Sequence, residues 1–303
     1  MGRSIMRIIL IAVIIVLVLY AAGSLFLGLF FTHIKPQTLE EAKTWQKNHY
    51  DISFYDALDT EEYTVTSYDG YIIHAVFCRN PKPSNRRYII LSHGYTDNRY
   101  GDLKYLPIYL RQGFHCILYD LRGHGLNERT YCTYSIRESR DLDALISDTR
   151  KRYGEDILLG LHGESLGAAT SMAVLGIRQD LAFVVADCPF ADIEGVLKGG
   201  MKAAHIPTFL LYGASLVSRL FRGYFLGQMR PIDQVSRNIV PVLFMHGKED
   251  TFITPDNSRR LAAAMPARTQ IHLTPGAGHA ESVLVDPKGY EATVDAFWDT
   301  IIR

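Results

Sequence analysis

The chain has 303 residues, enough for one large α/β domain or two small ones, and 48% of them are hydrophobic, which supplies a sizeable core. Its 32 Lys and Arg balance 32 Asp and Glu, so no global field attracts nucleic acid, and no basic stripe with interleaved aromatics stands ready to bind it. The 4 cysteines, Cys78, Cys116, Cys132 and Cys188, form no Cys-x-x-Cys pair and are too few for a disulfide scaffold. Cys78, Cys116 and Cys188 fall in or beside expected strands, as small buried hydrophobes do. Cys132 falls in an expected loop, as a free thiol.

Residues 8–31 carry no charged side chain, and about 20 apolar residues suffice to cross a bilayer. Arg3 and Arg7 precede the run, and Ala21-Ala22-Gly23 offers small residues for a signal peptidase. The run nevertheless continues to Phe31, which favours an uncleaved anchor over residues 1–34. Arg3 and Arg7 place the N-terminus in the cytoplasm and the body outside, a bias weakened by Lys35, Lys43 and Lys47. The expectation is a single-pass membrane protein with an extracytoplasmic body, its membrane contact made by the N-terminal helix.

Residues 35–60 read as an amphipathic linker. Thr38-Leu39-Glu40-Glu41 has the capping-box pattern, and Leu39, Ala42, Trp45, His49 and Ile52 follow at helical spacing. From residue 61 strands and helices alternate. Strands 63–66 and 71–77 flank an Asp69-Gly70 turn, and 80–85 is a loop. Then come strand 88–91, helix 102–112, strand 114–119, helix 136–153, strand 157–161 and helix 166–177. Strands 183–186, 242–245 and 271–273 and helix 289–301 close the series. Such alternation predicts an α/β domain over 61–303 with a mainly parallel sheet covered on both faces. Residues 190–238 break the rhythm with apolar and aromatic content, including Phe209, Tyr212, Leu216, Leu220 and Phe221. A structureless loop of that length is improbable in a compact domain, so the segment reads as a small helical cap.

The chain is organised around Gly163-Glu164-Ser165-Leu166-Gly167, between an apolar strand and a helical pattern. Strand, G-x-S-x-G and helix is the context of a nucleophile elbow, in which the two glycines relieve crowding at a tight turn. A serine hydroxyl is a weak nucleophile, so Ser165 needs a base, a carboxylate to orient that base, and oxyanion donors. In elbow enzymes the acid and then the His follow the Ser in the chain. Of the 11 His residues, His205, His246, His272 and His279 follow Ser165. His205 lies in the cap, His246 precedes the best acid and His272 alternates within a strand. His279, in the loop Gly276-Ala277-Gly278-His279-Ala280, is the candidate base. Asp250, in the loop after the penultimate strand, is the preferred acid, and Asp187, at the end of the strand after the elbow, is the alternative. The backbone N–H groups of Leu166 and Tyr95 are the oxyanion donors expected beside the nucleophile and after the third strand. Asp120 and His124 invite a metal reading, but no His-Glu-x-x-His or Cys/His cluster supports it. Asp120 and Arg122 read instead as residues that fix a loop beside the site.

His93-Gly94, Asp120-x-Arg-Gly-His-Gly125, Gly163-x-Ser-x-Gly167, His246-Gly-x-x-Asp250 and Gly278-His279 together resemble the α/β-hydrolase superfamily over residues 63–303. The chain looks like membrane-anchored bacterial members related to serine aminopeptidase-like and esterase-like hydrolases. The resemblance implies a central, mostly parallel sheet of about eight strands and hydrolysis without a cofactor or metal. It predicts a serine hydrolase acting on a carboxylic ester or related acyl bond, with Ser165, Asp250 and His279 as the triad. The apolar cap implies a small-molecule substrate with an apolar portion. Two other readings stand: an aminopeptidase whose cap residues Asp192 and Glu194 hold the substrate amine, and a non-catalytic, membrane-anchored binding protein.

Overall fold

A computed structural model describes residues 2–84 and 86–302. Met1, Asn85 and Arg303, which end the expected anchor, the 80–85 loop and the hydrolase domain, lie outside the described residues. The chain divides into two compact units, Met1–His33 with Ile193–Met229, and Ile34–Asp192 with Arg230–Arg303.

The larger unit is built on one eight-stranded sheet. Its strands are β1 (Asp59–Thr66), β2 (Ile72–Arg79), β3 (Arg87–Ser92), β4 (His115–Tyr119), β5 (Leu158–Glu164), β6 (Phe183–Asp187), β7 (Val242–Gly247) and β8 (Thr269–Thr274). They lie in the order β1-β2-β4-β3-β5-β6-β7-β8. β2 is antiparallel to β1 and to β4, and every other pairing is parallel. This is the α/β-hydrolase sheet that the motifs implied. β5, β6 and β7 are buried almost throughout, which explains why they read as continuous apolar runs rather than alternating ones.

In this unit the linker helix is α2 (Leu39–His49), followed along the chain by α3 (Leu106–Arg111), α4 (Ile136–Tyr153) and α5 (Leu166–Val174). After β7 come α8 (Asp256–Ala263), α9 (Ser282–Val285) and α10 (Pro287–Ile301). The Thr38–Glu41 capping box forms in full. The helix expected over 102–112 is split: a 3-10 helix, Arg99–Tyr105, precedes α3. Pro107 explains the break, because proline suits the first turn of a helix and removes a hydrogen bond from an interior. α5 stops at Val174, short of the expected residue 177.

Alternate strand residues sort the two sheet faces. Val76, Cys78, Ile89, Leu91, Cys116, Leu118, Phe183, Val185, Leu243 and Met245 share one core with Tyr109 of α3 and with Tyr290, Val294, Phe297 and Trp298 of α10. All four cysteines are free and buried, Cys132 included.

The smaller unit joins α1 (Gly2–Thr32) to two helices of the insertion, α6 (Ile193–Ala203) and α7 (Leu210–Arg222). α1 is long and apolar enough to cross a membrane. The segment expected as a cap is therefore helical, and its helices group with the N-terminal helix.

Candidate active site

Parallel strands deliver their carboxyl ends, and the loops that follow, to one edge of the sheet. Apart from Glu194 and Lys198, the residues described next belong to the larger unit.

β5 runs into the turn that carries Ser165. Ser165 has φ +53°, a strained value for a residue with a side chain. Its N–H is held by the Asp187 carbonyl at 2.8 Å, and its own carbonyl accepts from Ala169 N–H in the first turn of α5. The neighbours must be glycines. A Cβ on Gly163 would stand 2.5 Å from the Gly167 carbonyl, and one on Gly167 would strike the carbonyl of Ser92. The two residues are small because backbone crosses backbone there.

Ser165 Oγ lies 2.9 Å from His279 Nε2, and His279 Nδ1 lies 2.7 Å from Asp250 Oδ2. With Nδ1–H donating to the carboxylate, Nε2 is free to accept the serine proton. Asp250 Oδ1 accepts from the N–H groups of Phe252 and Ile253, each at 2.9 Å. His246 Nε2 is 3.3 Å from Asp250 Oδ2. Burial pushes the Asp250 carboxyl up, but its bonds from His246, His279 and Ile253 N–H outweigh burial and hold it well below the usual range. Asp250 is thus a buried anion aimed at the imidazole. The Phe252 ring meets the His279 ring edge-on at 5.1 Å.

Asp187, the alternative acid, sits at the end of β6 with other partners. Its carboxylate accepts from Tyr105 OH at 3.3 Å. Burial, reinforced by the Glu164 charge, pushes it up to about 7. Its backbone carbonyl accepts from Ser165 N–H at 2.8 Å.

Leu166 is the first residue of α5, so its N–H has no intrahelical acceptor. Tyr95 lies in the loop after β3, where a Cβ on Gly94 would stand 3.8 Å from Ser165 Cβ. Two histidines brace this loop. His93 Nδ1–H donates to Gly94 O at 2.7 Å while its Nε2 accepts from Leu121 N–H at 2.9 Å. That pattern requires a neutral ring, and burial lowers the His93 pKa to about 3. His124 Nε2 reaches the Tyr95 carbonyl at 2.5 Å, and the Tyr95 ring stacks on Tyr134 at 5.7 Å.

Asp120 and His124 are engaged as loop braces. Asp120 binds the Arg99 guanidinium at 2.6 Å and the N–H groups of Arg99 and Leu126. Both ring nitrogens of His124 face backbone carbonyls, those of Arg122 and Tyr95. Arg122 is buried against Asp141 and Asp69. The ligand atoms of Cys188, Asp250 and His279 do lie within 4.8 Å of one another. Two of the three are already bonded together, and burial pushes the Cys188 thiol up, away from the thiolate a metal takes.

Sequence reasoning missed the support behind the elbow. Glu164 is buried and accepts from Tyr105 OH at 2.6 Å, with Lys104 Nζ at 2.5 Å. Burial disfavours a charge on Lys104, but the Glu164 carboxylate outweighs it and raises its pKa. A glutamate at the end of an apolar strand was the available signal. Its cation, Lys104, lies far upstream in the chain and carries no pattern that points to it. The amine-binding candidates of the cap are also paired: Asp192 with Arg260 at 2.6 Å and Glu194 with Lys198 at 2.6 Å.

The sequence profile of the "Alpha/beta hydrolase family" matches residues 89–293. A Bacillus subtilis (strain 168) protein, "Uncharacterized protein YqkD", is 28% identical over 285 residues, covering 91% of this chain and 93% of that protein. "Alpha/beta hydrolase domain-containing protein 17C" of Homo sapiens is 26% identical over 202 residues, 65% of this chain and 54% of that protein. The chain thus spans about half the length of that human relative. Among solved structures, the Pyrococcus furiosus esterase Pf2001 superposes with a TM-score of 0.65 at 22% identity, covering 80% of this chain and 92% of that one. An esterase from Exiguobacterium antarcticum superposes at 0.56 with 14% identity, covering 78% and 99%. The fold, the elbow and the profile match agree, and the chain belongs to the alpha/beta hydrolase family.

Proposed function

We propose that the chain is a serine hydrolase that cleaves carboxylic esters or related acyl bonds. The observation that carries this reading is the continuous relay from Ser165 through His279 to Asp250, with bonds of 2.9 and 2.7 Å. In the proposed reaction Ser165 Oγ attacks the acyl carbonyl while His279 Nε2 takes its proton. Asp250 holds the imidazole tautomer and stabilises the imidazolium. The N–H groups of Leu166 and Tyr95 receive the oxyanion. His279 then protonates the leaving alcohol, and a water that it activates releases the acyl group from Ser165. No step calls for a metal or cofactor.

An aminopeptidase is less well supported, because Asp192 and Glu194 already hold Arg260 and Lys198. The body is proposed to lie outside a bacterial cell, on the strength of Arg3 and Arg7 before the span.

The test is labelling with a fluorophosphonate probe. The wild-type chain should be labelled and should hydrolyse p-nitrophenyl esters faster than aminoacyl-anilides, and Ser165→Ala should do neither. Undiminished labelling of Ser165→Ala removes the assignment, and a wild-type chain that never labels favours the non-catalytic reading. A membrane-impermeant version applied to intact cells reports the side of the membrane.

A further inference from the structure

α7 is apolar on two opposite sides, which a helix facing water is not. Leu211, Gly213, Ala214 and Ser218 are buried. Phe209, Tyr212, Leu216, Leu220 and Phe221 point outward at helical spacing, 52–71% exposed. No charge occurs on the helix before Arg219, and Arg219 and Arg222 both fall in its last turn.

The buried side lies along the second half of α1. The rings of Tyr20 and Phe209 stack at 6.0 Å. Gly23 faces Leu210, and a Cβ on Gly28 would stand 2.6 Å from the Ala214 carbonyl and 2.7 Å from Val217. Arg222 Nε donates to Thr32 Oγ1 at 3.2 Å. The paired positions rise together, so the two helices run parallel, side by side for about 20 Å at 1.5 Å per residue. On α1 the same stretch exposes Leu25, Phe26 and Phe30. Along their shared length both helices thus present apolar side chains outward.

We propose that this surface beds in the lipid bilayer: α7 enters the membrane beside the second half of α1, with Arg219 and Arg222 at the headgroups. At 13 residues α7 is too short to span, which takes about 20, and has the length of an interfacial or re-entrant segment. Its placement is set by α1, which it parallels. Its charge is placed for a lipid surface, because arginines at a helix end reach the headgroups while their stems lie in the acyl region. The proposal rests on α1 entering the membrane and is independent of the triad.

The test uses the full chain in phosphatidylcholine/phosphatidylglycerol vesicles. Nitroxide labels are placed at Leu216→Cys and Leu220→Cys on α7, at Val16→Cys on α1 and at Lys288→Cys, an exposed position of α10. The native thiols are all buried, so the unsubstituted chain sets the labelling background, and circular dichroism checks that each variant is folded. Spin-label collisions are read with oxygen, which partitions into lipid, and with a nickel chelate, which stays in water. The proposal expects the two α7 labels to match Val16→Cys, with about a tenfold loss of nickel collisions relative to Lys288→Cys because the chelate does not enter hydrocarbon. Nickel collisions on α7 equal to those at Lys288→Cys, with Val16→Cys protected, overturn the proposal and leave α1 as the sole membrane element. Free nickel access at Val16→Cys as well overturns the membrane reading of both helices. Spin–spin broadening at α7 that vanishes on dilution with unlabelled chain identifies a second copy as the occupant and also overturns it.

Discussion

Asp187 and Asp250 are buried carboxylates at the ends of neighbouring strands, and their surroundings push them in opposite directions. Asp250 accepts from an imidazole and two backbone N–H groups, whereas Asp187 faces Tyr105 and the Glu164 charge. Asp250→Asn should therefore lower kcat for ester hydrolysis by about 10⁴-fold, since the tautomer of His279 is lost. Asp187→Asn should change kcat by less than about tenfold, because its contact with Ser165 is made by the backbone. The two variants measured on one ester decide which carboxylate serves the base. Asp187 also predicts a pH effect on stability. Its folded pKa, about 7, lies above the ordinary 3.8, so the unfolded chain loses its proton first. The stabilisation is full below about pH 4 and is lost as pH rises through about 7, at up to about 1.4 kcal/mol per unit. Urea unfolding in detergent should show Asp187→Asn gaining on the wild type between pH 5 and 8. A difference that stays constant across that window refutes the shift.

At the scale of elements, the elbow is set by backbone contact between the turn, α5 and β3. Gly167→Ala places a methyl group against the Ser92 carbonyl, and overpacking of this kind costs about 1–3 kcal/mol. The variant should lose thermal stability and fluorophosphonate labelling together, because the shift moves Ser165. Gly199 of α6 is the contrast. A Cβ there meets nothing within 4 Å, so Gly199→Ala should leave labelling intact and raise stability by up to about 1 kcal/mol through helix propensity. Thermal unfolding of both variants checks the pair. The strands were legible because buried parallel strands are unbroken apolar runs. The split at Arg99–Tyr105 was not, because the pattern of apolar residues crosses Pro107 without interruption.

At the scale of the whole molecule, the chain folds as two units whose membership does not follow chain order. The N-terminal helix and the insertion after β6 are far apart in sequence and share one packed interface, α1 on α7. Deleting residues 1–33 leaves that face of α7 uncovered beside its exposed apolar face. The shortened chain should associate or precipitate without detergent, as a helix apolar all round does in water. Light scattering after gel filtration, with and without detergent, measures this. A monodisperse monomer in plain buffer contradicts the packing of α1 on α7.

The amino-acid sequence alone carried the strand–helix alternation, the elbow around Ser165 and the downstream His279, because these rest on local periodicity and on chain order. It left Asp250 and Asp187 open, since both end a parallel strand and only the direction of each side chain decides which reaches His279. It gave no sign of Lys104 under Glu164 or of α7 along α1. Those contacts join distant segments, and nothing local in either partner requires them. Tertiary structure decided them, because a buried charge must find its counter-charge, and an apolar face its cover, wherever the fold brings one near.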